Sequence, residues 1–170
     1  MNYKWIGAFF IIWGCGGVGF SIAANYKRKE KLLNQLTHIL HFMESELQYR
    51  LTPLPELCHQ AGYEVTGLLR EIFFNLAREL DWQCSPDVRS CMSSILKKYS
   101  DMPACIKKML VKLGNSLGRY DLPGQVRGIQ AIQTICEGEL RKLGKDRDSR
   151  LRSYQTLGLC AGAATVILFI

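Results

Sequence analysis

Apolar residues recur at spacings of three and four through most of the chain, and two uninterrupted apolar runs bracket them. The first, Trp5 to Tyr26, is 22 residues without a charge. At about 1.5 Å rise per residue it reaches across a hydrocarbon core of roughly 30 Å. The second, Ser153 to Ile170, is 18 uncharged residues, at the short end for a span. The pattern predicts an all-α chain in three parts: a transmembrane helix over 1–26, a helical domain over 27–152 and a second transmembrane helix over 153–170. The domain reads as an antiparallel bundle of about six helices joined by short connections.

Leu32, Leu36, Ile39, Leu40, Met43 and Leu47 carry a first amphipathic helix out of the N-terminal run to about Arg50, so everything before the following turn reads as a membrane stalk. The turn is Leu51-Thr52-Pro53-Leu54-Pro55-Glu56. Each proline lacks an N–H and pushes the residue before it toward extended backbone, so the helix must stop. A new one can start at Pro53 or Pro55, with Glu56 against its positive end. Leu57 to Ala61 then predicts a short helix closed by Gly62, and Leu68, Leu69, Ile72, Phe73, Leu76, Ala77 and Leu80 a longer one. Ser85-Pro86 starts a helix with Val88, Cys91, Met92, Ile95, Leu96 and Tyr99 on its apolar side. Asp101-Met102-Pro103 starts another, in which Ile106, Met109, Leu110, Leu113 and Leu117 run to Gly118. Asp121 can then accept the Gly124 N–H as a cap, with Pro123 in the first turn. From there Val126, Ile129, Ile132, Ile135, Cys136, Leu140 and Leu143 sustain one face.

The net charge of +7 changes the picture only through its placement. The clusters at 27–31 and 141–152 contribute +3 and +4, whereas 32–140 holds eleven Lys/Arg against twelve Asp/Glu. Positive charge beside apolar ends meets anionic phospholipid, and nucleic acid is not an expected partner. Of 22 Lys/Arg, 21 lie between the two runs, which places the middle in the cytoplasm and both termini outside. Seven cysteines with no C-x-x-C pair are neither a disulfide framework nor a zinc site, and suit a reducing compartment.

Candidate chemistry thins out on inspection. Gly14-Cys15-Gly16-Gly17-Val18-Gly19 formally matches a dinucleotide fingerprint, but no second strand ending in an acid follows. Cys15, Gly19 and Ala23 more simply form a small-residue face for helix packing in lipid, and Gly158 with Gly162 offers the same on the second run. A cleaved signal peptide ending at Ser21-Ile22-Ala23 and a lipidated Cys15 are disfavoured, because the basic cluster follows the run. Gly138 and Gly144-Lys145-Asp146 are mis-spaced for a phosphate loop. His38, His41 and Cys58-His59 lack an acidic or thiol partner at ligand spacing. No cofactor, metal or catalytic group is expected. The residues leave a non-catalytic membrane protein, against the alternative of a small membrane-bound enzyme, which a gathering of His38, His41 and Cys58 would favour.

Several segments together resemble a known family: Lys4-Trp5-Ile6-Gly7-Ala8, then Glu44-x-Glu46-Leu47-x-Tyr49-x-x-Thr52-Pro53-Leu54-Pro55-Glu56, then Leu117-Gly118-x-x-Asp121-x-x-x-Gln125, and finally Tyr154-x-x-Leu157-Gly158 before Val166-Ile167-Leu168-Phe169-Ile170. They resemble stage III sporulation protein AB of endospore formers over the whole chain. The resemblance implies a multi-pass component of the mother-cell membrane around the forespore, within a channel complex. Its cytoplasmic domain is similar to those of inner-membrane platform proteins in type II secretion and type IV pilus systems. Those have a duplicated domain and three spans, where this chain has one domain and two. The partners implied are membrane lipid, other membrane proteins of the complex and a secretion-type motor ATPase, stage III sporulation protein AA, and the role implied is a scaffold or adaptor coupling that motor to the membrane assembly. Association into a homo-oligomer is left open. The candidate structural and partner-contact residues are Thr52, Pro53, Pro55, Glu56, Gly118, Arg119, Asp121 and Gln125.

Overall fold

A computed structural model describes the backbone of residues 3–82, 87–118 and 121–169, and the side chains of 24–82, 87–118 and 121–145. The described chain is all-α: six helices, α1 (Tyr3–Tyr49), α2 (Leu54–Tyr63), α3 (Leu68–Asp81), α4 (Val88–Lys97), α5 (Ala104–Ser116) and α6 (Leu122–Phe169), without a strand. The two apolar runs belong to the first and last of these helices, the first as the sequence predicts. Their backbones are the outer parts of α1 and α6, which the bundle continues without a break. Among the described residues no helix is long and apolar enough to cross a membrane. The apolar ends, with the small-residue faces of Gly19, Ala23, Gly158 and Gly162, lie outside the residues whose side chains are described.

Each short connection reverses the chain. The helices close a ring in which α1 packs on α6, α6 on α5, α5 on α4, α4 on α3, and α3 on α2, with α2 also touching α1. The helix ends that flank three connections, α1–α2, α3–α4 and α5–α6, gather at one end, the tip. The other two lie toward the opposite end, the base, where α1 and α6 leave the bundle. One core cluster runs through the ring. Leu33, Leu36, Ile39, Leu40 and Met43 of α1 are fully buried in it, so the inner half of the predicted stalk is core rather than stalk. The physical reason is that α6 lies along α1 and covers its stripe.

The elements differ from the sequence reading at their ends. α2 is longer than Leu57 to Ala61, since it opens at Leu54 behind Pro53 and runs on to Tyr63. Gly62 does not close it. A Cβ there would lie 3.2 Å from the Phe74 ring, so its role is to admit that ring. α4 begins at Val88 with Asp87 before it, and Ser85-Pro86 lies outside the described residues. α5 ends at Ser116, two residues short of Gly118. Ile135, predicted on the buried face of α6, is 38% exposed.

A polar seam joins α1 to α6 above the base. Glu44 accepts hydrogen bonds from Gln130 Nε2 at 2.6 Å and Gln133 Nε2 at 2.8 Å, and Gln133 also meets His41 Nδ1 at 3.3 Å. Lower down, Lys29 bridges to Glu139 at 3.3 Å, which also holds Lys142 at 3.1 Å. The Gln130 and Gln133 bonds hold the Glu44 carboxyl below its ordinary 4.5, and Lys142 and Lys29 do the same for Glu139. For Lys29 partial burial works to lower the pKa, but the bonds to Glu139 and Cys105 outweigh it and leave it above 10.5. A depressed carboxyl pKa contributes stability above the unfolded value and loses it as pH falls through the folded one; a raised lysine contributes below its unfolded value and loses it at higher pH. The thermal midpoint of the full chain in detergent is therefore expected to be flat from about pH 5 to about pH 8 and to fall on either side, on the alkaline side first because the buried Cys58 and Cys136 thiols, raised from 9.0 to about 12 and about 11, keep protons that the unfolded chain gives up. Melts of Glu44→Gln, followed by circular dichroism, should show a shallower decline on the acid side than wild type.

Candidate docking site at the tip

The α1–α2 turn begins with a helix stop that the prolines do not make alone. Leu51 takes φ +53, a left-handed conformation that costs a residue with a Cβ about 1 kcal/mol. What holds it there is Glu46, only 8% exposed one turn earlier. Thr52 Oγ1 donates to Glu46 Oε2 at 2.9 Å, and Arg50 Nη1 lies 3.4 Å from Oε1. One carboxylate thus ties the residues on both sides of Leu51. Pro53 then stands at the head of α2, and its carbonyl accepts the Leu57 N–H at 2.8 Å. Pro55 and Glu56 occupy the first turn, as the sequence predicted, and Gln60 donates to Glu56 at 2.9 Å.

The second candidate segment comes to the same end. Gly118 has φ +72, and a Cβ on it would lie 3.0 Å from Val88 Cγ2 and 3.4 Å from Leu54 Cδ2. Gly118 is therefore seated between the first turns of α2 and α4. Asp121 Oδ1 accepts the Gly124 N–H at 3.2 Å, the predicted cap, and its carbonyl accepts the Gln125 N–H at 3.0 Å. Gln125 is half-buried, and Arg119 lies outside the described residues. In the same stretch Asn115 Oδ1 is buried without a partner among the described residues. Close approaches hold the helices behind this turn: a Cβ on Gly114 would lie 2.9 Å from Met92 Cβ, and one on Gly128 2.5 Å from Ser116 Oγ.

The tip also carries residues that sequence reasoning did not single out. Tyr49 is 82% exposed, Leu51 66% and Trp82, just past the end of α3, 75%. α2 and α3 run antiparallel, since Gly62 meets Phe74 while Asp81 acts on Cys58. The last turn of α3 therefore lies beside the first turn of α2, at the proline turn. Leu51 continues the α1 stripe four residues after Leu47, so periodicity would bury it; only the backbone reversal turns it outward. Trp82 left a readable signal, a large aromatic past the last stripe residue Leu80 and before Ser85-Pro86.

The imagined metal or enzyme cluster is not assembled. His38 and His41 are exposed on α1, whereas Cys58 is fully buried on α2. His59 packs on Tyr63 and edge-on against Phe74, with Arg70 above the Phe74 ring at 5.3 Å. Among the described residues no three His, Cys, Asp or Glu could hold a metal ion. Burial pushes the Cys58 thiol up to about 12, with Asp81 adding to it, and burial likewise pushes Cys136 up to about 11. Neither is a thiolate nucleophile at neutral pH.

Fold and site together define a class: a helical bundle whose two longest helices leave its base, with an exposed apolar tip and no catalytic constellation among the described residues. The family model for stage III sporulation protein AB matches residues 4–170, and the chain belongs to that sporulation family. It is similar to stage III sporulation protein AB of Bacillus subtilis (strain 168), 25% identical over 170 residues that cover 98% of this chain and 99% of the relative. A solved structure of a stage III sporulation protein AB superposes with a TM-score of 0.63 at 22% identity. It covers 72% of this chain and 98% of its own, and at that identity it speaks for the fold alone.

Proposed function

We propose that this protein is a non-catalytic, multi-pass component of a sporulation-specific, secretion-like channel complex. It acts as a platform or adaptor between a cytosolic motor ATPase and the membrane assembly. In this reading 1–26 and 153–170 span the mother-cell membrane around the forespore, and the bundle stands in the mother-cell cytoplasm. The observation that supports it most is the division of the fold into two ends. Both apolar runs leave from the base, whereas Tyr49, Leu51 and Trp82 stay exposed at the tip, farthest from them. Exposed aromatics such as Tyr49 and Trp82 are the side chains that most often dominate binding. Beside them, Glu56 and Asp121 are exposed and Thr52 and Gln125 half-buried, as a polar surround.

The test is capture of the motor ATPase, stage III sporulation protein AA, by the full chain in nanodiscs. Trp82→Ala is expected to weaken capture by about 30-fold, the loss of a typical binding hot spot, while the melting temperature stays unchanged. Ordinary capture by a folded Tyr49→Ala, Leu51→Ser, Trp82→Ala variant would remove the tip as the docking face.

A further inference from the structure

The sequence places its positive clusters next to the apolar ends, and the stretch between them is nearly neutral. Folding divides that stretch unequally. Among its described residues, the α4–α5 segment 97–108 at the base holds four Lys/Arg against one Asp/Glu, whereas the tip segments 44–58, 76–82, 87–90 and 112–130 hold five and seven. The cations that shift the balance belong to the α4–α5 hairpin, some seventy residues from the α1 cluster in sequence.

Lys29 fixes the height of that hairpin. Its ammonium lies beside both Glu139 of α6 and Cys105 in the first turn of α5. Lys29 is three residues beyond Tyr26, the last residue of the uncharged run, a rise of about 4.5 Å along the helix. The start of α5, and the α4–α5 connection just before it, therefore stand within about one Debye length of the level at which the apolar run ends. Lys97, Lys98 and Lys108 are exposed there and form no ion pair among the described residues. By contrast, Arg141 and Lys142 of α6 are already engaged by Glu137 and Glu139, at 3.2 and 3.1 Å.

We infer that the α4–α5 hairpin, through Lys97, Lys98 and Lys108, rests on anionic phospholipid headgroups and forms a third membrane contact beside the two helical ends. This rests on the reading that those ends span the bilayer. Unpaired, exposed cations level with a membrane surface are attracted to anionic lipid, and both apolar ends leaving from the same base favour a bilayer over a nucleic acid as the polyanion. Three contact points that are not in line hold the bundle axis at a set tilt, which two helices leaving side by side do not, and so direct the tip.

The experiment uses the full chain in nanodiscs of phosphatidylcholine, with or without phosphatidylglycerol, carrying a headgroup-attached quencher. A fluorescent amino acid is placed singly at Ser100 in the hairpin, at Asn25 at the end of the first apolar run, or at Glu56 at the tip. The Asn25 probe is expected to be quenched in both lipids and the Glu56 probe in neither. The Ser100 probe should be quenched at least threefold more with phosphatidylglycerol than without. That excess should vanish in high salt, and likewise in the variant Lys97→Glu, Lys98→Glu, Lys108→Glu. Should the reversed variant fail to fold, the salt titration of the wild-type sequence decides. A quenched Asn25 probe with a Ser100 signal indifferent to lipid charge and salt overturns the hairpin contact alone. An unquenched Asn25 probe overturns the membrane reading itself, and this inference with it.

Discussion

Phe73→Ala is expected to destabilise the bundle by about 3–5 kcal/mol, the cost of deleting a ring and leaving its space unfilled. Phe73 is the largest fully buried side chain of the core and sits mid-way along α3. Its neighbours on the helix face, Leu69, Ile72, Leu76 and Ala77, are all fully buried as well. α3 lies between α2 and α4 in the ring, so the cavity would open in a wall packed on both sides, where collapse is least able to fill it. For a chain of this size the loss corresponds to a midpoint lower by roughly 6–20 °C. Denaturant titration of the full chain in detergent measures it, and a loss below about 1 kcal/mol would show that the ring is not part of the core.

Gly128→Ala ranks next. A Cβ there would stand 2.5 Å from Ser116 Oγ and 2.6 Å from Ser116 Cβ, and the Cβ cannot swing aside as the end of a long side chain could. The α5–α6 pair must separate, which costs about 1–3 kcal/mol as overpacking does, even though alanine favours the helix over glycine by about 1 kcal/mol. Ser116→Gly makes room at the same point. The double variant Gly128→Ala, Ser116→Gly should therefore be more stable than the two single changes predict by addition, with a coupling of about 0.5–3 kcal/mol. Strict additivity in the melts would mean that α5 and α6 do not meet at this point.

The candidate site was legible in part. Pro53, Pro55 and Glu56 in the first turn of α2, and Asp121 accepting the Gly124 N–H, are local chemistry of a few consecutive residues, and they stand where the sequence put them. Leu51 was not legible. The i, i+4 rule that correctly buries Leu47 would bury it too, and its left-handed backbone depends on a buried carboxylate five residues back that ties Arg50 and Thr52. Gly62 was misread for a related reason: a glycine that ends a helix and one that admits a ring look alike until the ring, twelve residues on, is in place.

By itself the sequence determined the helical class, the family and the apolar stripes, because each follows from short-range periodicity or from residues near one another in the chain. It also determined that no strong catalytic motif is written there. Tertiary structure alone decided that the proline turn and the Gly118 turn share one end of the bundle, through Leu54 and Val88 against Gly118. It decided too that half of the apparent stalk is core, and that Cys105, at the start of α5, stands beside Lys29 at the other end. These are matters of helix length and antiparallel register. Periodicity says which face of a helix is buried, but how far a helix runs, and which of its levels meets its neighbour's, is set only when the helices pack.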